Sequence, residues 1–156
     1  MPADQTPPPA APQDQHRHAG FEMPAGYADP AGRVVDHELL GQFVGAAFDG
    51  CTSCQDALLT LMVEDAATTA RLVELACVAT QAMLGGLPAS LTQDGASGLA
   101  SPEFRRLARA GLDGANDAMW RCCEQMTTSQ RRAAANTAAD TLIGNLSLGR
   151  SDDRPS

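Results

Sequence analysis

The sequence predicts an all-α protein, an antiparallel up-down four-helix bundle carried between disordered N-terminal and C-terminal tails. Three observations support that class. Apolar and small residues recur at steps of three and four from Val34 to Leu148. The apolar set is mostly Ala, Leu, Val and Met, with only four Phe, one Trp and one Tyr, so the aromatic and β-branched runs of a sheet are missing. Ala combines the best helix propensity with the smallest interhelical footprint. Finally, short connections between the periodic stretches imply antiparallel neighbours.

Residues 1–32 are dominated by Pro, Ala and Gln and have no apolar period. Such a segment buries too little surface to offset its ordering entropy, and it is expected to be a disordered tail, as are residues 150–156. The bundle is expected over 33–149, with helices at about 35–64, 66–84, 102–126 and 128–147.

The first helix has Asp36 as N-cap and a seam of Leu40, Val44, Ala47, Cys51, Cys54, Leu58 and Leu61. Gly41, Gly45 and Gly50 each cost up to about 1 kcal/mol in a helix interior, which weakens its continuity. Asp65 marks the next turn and a cap. In the second helix Leu72, Ala76, Thr80 and Met83 form one row, with Val73, Cys77 and Leu84 beside it. Gly85, Gly86 and Pro88 stop it, and residues 87–100 read as a polar loop.

Ser101-Pro102-Glu103 opens the third helix with a capping hydroxyl, a first-turn proline and an acid near the positive pole of the dipole. Its seam is Phe104, Leu107 or Ala108, Leu112, Ala115, Met119, Cys122 and Met126. Thr127 and Gln130 fit a capping box for the fourth helix. There Ala135, Ala138, Leu142 and Leu146 face inward, and Gly149 ends the element.

The formal charge of −8 disfavours a nucleic-acid partner, whose phosphates would repel it. No apolar stretch reaches the roughly 20 residues of a membrane span, and the N-terminus lacks the pattern of a signal peptide. The expected location is the cytoplasm, where thiols stay reduced. Five cysteines, an odd number, cannot all pair within the chain. All eleven basic residues are Arg, for which the sequence offers no functional account.

The segments DGCTSCQDALLTLMVED, LACVATQAML and DAMWRCCEQM together resemble the cysteine-rich four-helix-bundle copper-storage family, whose members line the bundle interior with C-x-x-C-x-x-x-C and C-x-x-x-C patterns. The resemblance spans residues 38–147. It maps Cys51 and Cys54 onto the first two positions of the motif and leaves Leu58 at the third. Cys77 falls in the second helix, with Gln81 in place of its partner. The third helix carries Met119, Cys122 and Met126, and the fourth has no cysteine. The resemblance therefore implies a divergent member of small capacity.

Cu(I) is soft and prefers thiolate and thioether donors. Cysteines three apart on one helical face can converge on one ion. Cys51 and Cys54 are the primary candidates, Cys77 and Cys122 the secondary ones, and Met119 and Met126 optional donors in a second mixed site. Zn(II) would need four ligands for a closed tetrahedral site. The competing reading is core packing, since free Cys behaves as a small hydrophobe and Met as a gap filler. Cys123, about 100° from Cys122 around a helix, is expected off the seam.

A thioredoxin-like use of Cys51-Thr52-Ser53-Cys54 needs a strand-to-helix context that lowers the first thiol's pKa, whereas the period places this motif mid-helix. Asp49, Asp56, Glu64 and Glu74 read as a solvated face. Arg105, Arg106, Arg109, Arg131 and Arg132 read as surface charge balancing that acidity. No Gly-rich phosphate loop, Ser-His-Asp set, zinc-protease helix or di-iron Glu-x-x-His pattern occurs. No catalytic or cofactor-binding residues are expected. The alternative function is a metal-free bundle acting as an interaction or scaffold protein, or as a homo-oligomer.

Overall fold

The computed structural model describes residues 34–112 and 118–152, with residues 146–152 described by backbone only. The tail expected over 1–32 lies outside the described residues, as does Ala115. Among the described residues the chain is all-α, with seven helices and no strand: α1 (His37–Phe48), α2 (Thr52–Met62), α3 (Ala66–Leu84), α4 (Ala89–Thr92), α5 (Pro102–Leu112), α6 (Ala118–Gln125) and α7 (Thr128–Asp152).

Helix starts follow local side-chain chemistry. Asp36 accepts from the amide of Leu39 and caps α1. Asp65 accepts from Ala67 and caps α3. The Ser101 hydroxyl accepts from Phe104 and donates to the Ala133 carbonyl, so one residue both opens α5 and ties it to α7. Thr127 and Gln130 bond each other's amides at 2.9 and 3.2 Å, the reciprocal capping box.

The stretch expected as one helix over 35–64 is two. Gly50 takes φ +72°, the Gly50 amide donates to the Ala47 carbonyl, and the Cys51 amide donates to the Ala46 carbonyl. That is a Schellman closure of α1 with glycine in the left-handed position. The break resets the helical phase. Leu61, expected on the seam, is 60 % exposed, while Cys54, Leu59 and Met62 are the buried side of α2.

Gly85, at φ +78°, ends α3 as expected. The loop over 87–100 contains the short α4. At the other end of the chain α7 continues past Gly149 to Asp152, since glycine weakens a helix without having to stop it.

The core is a single cluster in which α3, α5, α6 and α7 meet and to which α1 and α2 add Leu40, Phe43, Val44, Leu59 and Met62. Every residue from Ala67 to Val73 is buried, so the first half of α3 is enclosed on all sides. α3 packs most extensively on α7, whose buried residues Ala134, Ala135, Ala138 and Leu142 form its small-residue face. α5 packs on α7, α6 on α3, and α1 chiefly on α2. The largest sealed side chains are Phe43 and Phe104. Toward its C-terminus α3 emerges into solvent, leaving Val78, Met83 and Leu84 exposed.

Three arginines expected at the surface serve the backbone instead. Arg105, buried in α5, donates to the carbonyls of Ser90 and Ala96 and holds the α4 loop down. Arg109 adds a bond to the Thr92 carbonyl and an ion pair with Asp94. Arg131 donates to the carbonyls of Val63, Cys123 and Glu124, gathering the ends of α2 and α6. Arg132 pairs with Asp56 across to α2, and Arg71 is buried in α3 with Glu74 as partner, so Glu74 is not simply a solvated acid.

Candidate thiol site

The break between α1 and α2 decides where the first two cysteines stand. Cys51 is the residue after the closing glycine of α1 and also the N-cap of α2, with φ −84° and ψ 93°. Cys54 is the third residue of that helix and is buried; Cys51 is half-buried. The pair therefore occupies the first turn of a helix, not its middle. The first turn of a helix carries amide N–H groups outside the helical ladder and the positive pole of the dipole; the Cys51 side chain makes no capping hydrogen bond to them. Ser53 brings its hydroxyl within 3.6 Å of the Cys51 sulfur, a neighbour the sequence reading did not single out.

The remaining sulfurs belong to a different environment. Cys77, Met119, Cys123 and Met126 all lie in the main hydrophobic cluster. The expected row of Met119, Cys122 and Met126 takes another form: Cys123 is fully buried with Met119 and Met126, four residues after the first and three before the second, while Cys122 only packs against the cluster from its edge. Within α6 it is Cys123, one turn after Met119, that faces inward.

Burial, helped by the nearby Glu74 carboxylate, pushes the Cys77 thiol up to about 12. Burial likewise raises Cys123, to about 11. The charge and hydrogen bond of Arg131 oppose that rise, and Cys122 and Asp65 add to it. Both thiols hold their protons at neutral pH, which suits packing better than ligation, because a metal ligand must be deprotonated.

No family model, curated protein or solved structure matches this chain. Among the described residues no three His, Cys, Asp or Glu side chains gather as a metal-holding group, and no disulfide joins any of the five cysteines. No helix among them is long and apolar enough to cross a membrane. The place where two cysteines are brought onto one helical turn is the start of α2.

Proposed function

We propose that this chain binds a single thiophilic metal ion, Cu(I) foremost, between Cys51 and Cys54. The observation that carries the reading is the position of these residues at the N-cap and third position of α2, one half-buried and one buried. Cu(I) accepts a small number of soft donors, and two thiolates on one turn supply them. The helix N-terminus favours the negative charge that ligation requires. Cys77, Met119 and Met126 are read as core, and Cys122 as an edge residue, which limits capacity to one ion.

The scaffold in this reading is an antiparallel up-down four-helix bundle. Its arms are α1 with α2, α3, α5 with α6, and α7. The packing of α3 and α5 along α7, and of α6 along α3, supports it. So does the resemblance to the copper-storage family, here in a thinned, non-catalytic, cytoplasmic form. Titration of reduced protein with Cu(I) against a chromogenic chelator, without oxygen, tests the site. One equivalent should be withheld from the chelator by the wild type and none by C51S/C54S. Retention of the ion by that double variant would sink the assignment.

The second reading, an interaction module or homo-oligomer, is favoured by one observation. Leu75, Val78, Ala79, Ala82 and Met83 form an apolar row at helical spacing on α3, half-buried at its start and exposed toward its end. Sedimentation at micromolar concentration distinguishes a self-associating chain from a monomer.

A further inference from the structure

The same turn carries a second chemistry that needs no metal. We infer that Cys51 and Cys54 form a thiol–disulfide exchange pair, in which Cys51 attacks a low-molecular-weight disulfide and Cys54 resolves the resulting mixed disulfide.

Position assigns the two roles. Cys51 is the more accessible thiol, at the mouth of α2, whereas Cys54 is 5 % exposed. A neutral thiol is a weak hydrogen-bond acceptor, but a thiolate at the N-cap accepts from the first-turn amides as a capping carboxylate would. The Ser53 hydroxyl, 3.6 Å from the Cys51 sulfur, can turn to donate to it. Accessibility makes Cys51 the sulfur that an external disulfide meets first, and its thiolate is the nucleophile.

The break at Gly50 makes ring closure feasible. Residues three apart on a helix hold their Cβ atoms about 5–6 Å apart, whereas a disulfide draws them to about 3.8 Å. Two residues fixed inside a helix cannot make up that difference without distorting it. Cys51 lies outside the helical dihedrals, at φ −84° and ψ 93°, directly after a left-handed glycine, so the approach can be absorbed there.

The exchange balances with one external disulfide. The Cys51 thiolate attacks one sulfur of that disulfide, whose S–S bond breaks; the released thiolate takes up the proton that Cys51 gave up. The Cys54 thiol then loses its proton, and its sulfur attacks Cys51. The mixed S–S bond breaks, and the second leaving thiolate takes up that proton. The pair is oxidised by two electrons and the external disulfide is reduced to two thiols.

This inference uses the sulfurs of the proposed metal site but does not depend on metal binding, and its test is done on metal-free protein. Full-length chain is exposed to glutathione disulfide, quenched in acid, alkylated after unfolding and digested with trypsin. The peptide 34–71 contains Cys51 and Cys54 and no other cysteine. In the wild type it should lose two hydrogens and take no alkyl group, while the peptides carrying Cys77, Cys122 and Cys123 are alkylated. C54S should retain one glutathionyl group on that peptide, and C51S none. In the folded wild type without oxidant, Cys51 should alkylate several-fold faster than the other half-buried thiol, Cys122. Full alkylation of peptide 34–71 after exposure overturns the inference. So does a wild type that stops at the mixed disulfide, or one that links Cys51 to Cys122. Because C54S removes a buried thiol, its helicity is checked by circular dichroism, and the wild-type mass decides the matter if that variant unfolds. A failed Cu(I) titration with a formed disulfide rejects the metal reading alone; the converse rejects only the exchange.

Discussion

The start of α2 and the centre of the α3–α6–α7 core use the same residue type for opposite ends. Cys77 and Cys123 lie within the hydrophobic cluster, and burial is the main cause that holds their protons to about 12 and about 11. Cys51 stands where one helix closes and the next opens, among amides that favour charge. The difference lies in the backbone. A thiol surrounded by a continuous helix and its partners is a small hydrophobe, while a thiol at a helix N-terminus is positioned as a nucleophile or a ligand.

The comparison can be broken most forcefully through packing. Phe104→Ala in the core should cost about 3–5 kcal/mol, whereas Leu61→Ala on exposed α2 should stay within about 0.5 kcal/mol. Urea unfolding of both variants measures the contrast, and equal midpoints would mean that the core is not where α3, α5, α6 and α7 meet. A second test reads the buried thiols through pH. Their folded values lie above the ordinary 9.0, so the folded chain holds protons that the unfolded chain releases. Stability should be level, as far as these thiols are concerned, below pH 9.0. It should then fall by as much as about 1.4 kcal/mol per pH unit per thiol up to their folded values. Denaturation at a series of alkaline pH values should show this slope shrinking in C77A and C123A and persisting in C51S.

Serine substitution sharpens the contrast at smaller amplitude. Cys77→Ser buries a hydroxyl and should cost about 1–3 kcal/mol, while Cys51→Ser installs a preferred N-cap and should be neutral or stabilising by up to about 1 kcal/mol. Thermal melts compare them directly. Gly50→Ala should cost about 1 kcal/mol or slightly more, from its left-handed φ alone, because nothing lies within 4 Å of the added Cβ. A Gly50→Ala variant as stable as wild type would mean that α1 and α2 are not separated by this closure.

Helical class and helix entry were legible because their signals are local. Asp36, Asp65, Ser101 and the Thr127–Gln130 box each act within three residues of where they stand in the chain. The division of the first helix was not legible, because a glycine that closes a helix and a glycine that merely weakens one look alike in sequence. That one ambiguity carried the misplacement of Cys51 and Cys54 to mid-helix. The small polar run Asp49-Gly50-Cys51-Thr52-Ser53, interrupting two apolar stretches, was the available sign. Neighbouring Cys122 and Cys123 could not be sorted by counting forward from Phe104, since a single exchange of a three-residue for a four-residue step selects one or the other. Arg105 and Arg131 read as surface charge for a different reason: their partners are backbone carbonyls, which carry no residue-type signal.

Thr68 links two helix starts. Its hydroxyl accepts from the Asp36 amide at the mouth of α1 and donates to the Asp65 carboxylate at the mouth of α3. The acceptor for that first amide therefore lies thirty-two residues downstream. During synthesis, α1 is completed well before the residue that fastens its entrance has been added. Until α3 begins to wind, the opening turn of α1 has its local cap alone, and Thr68 then ties one entrance to the other.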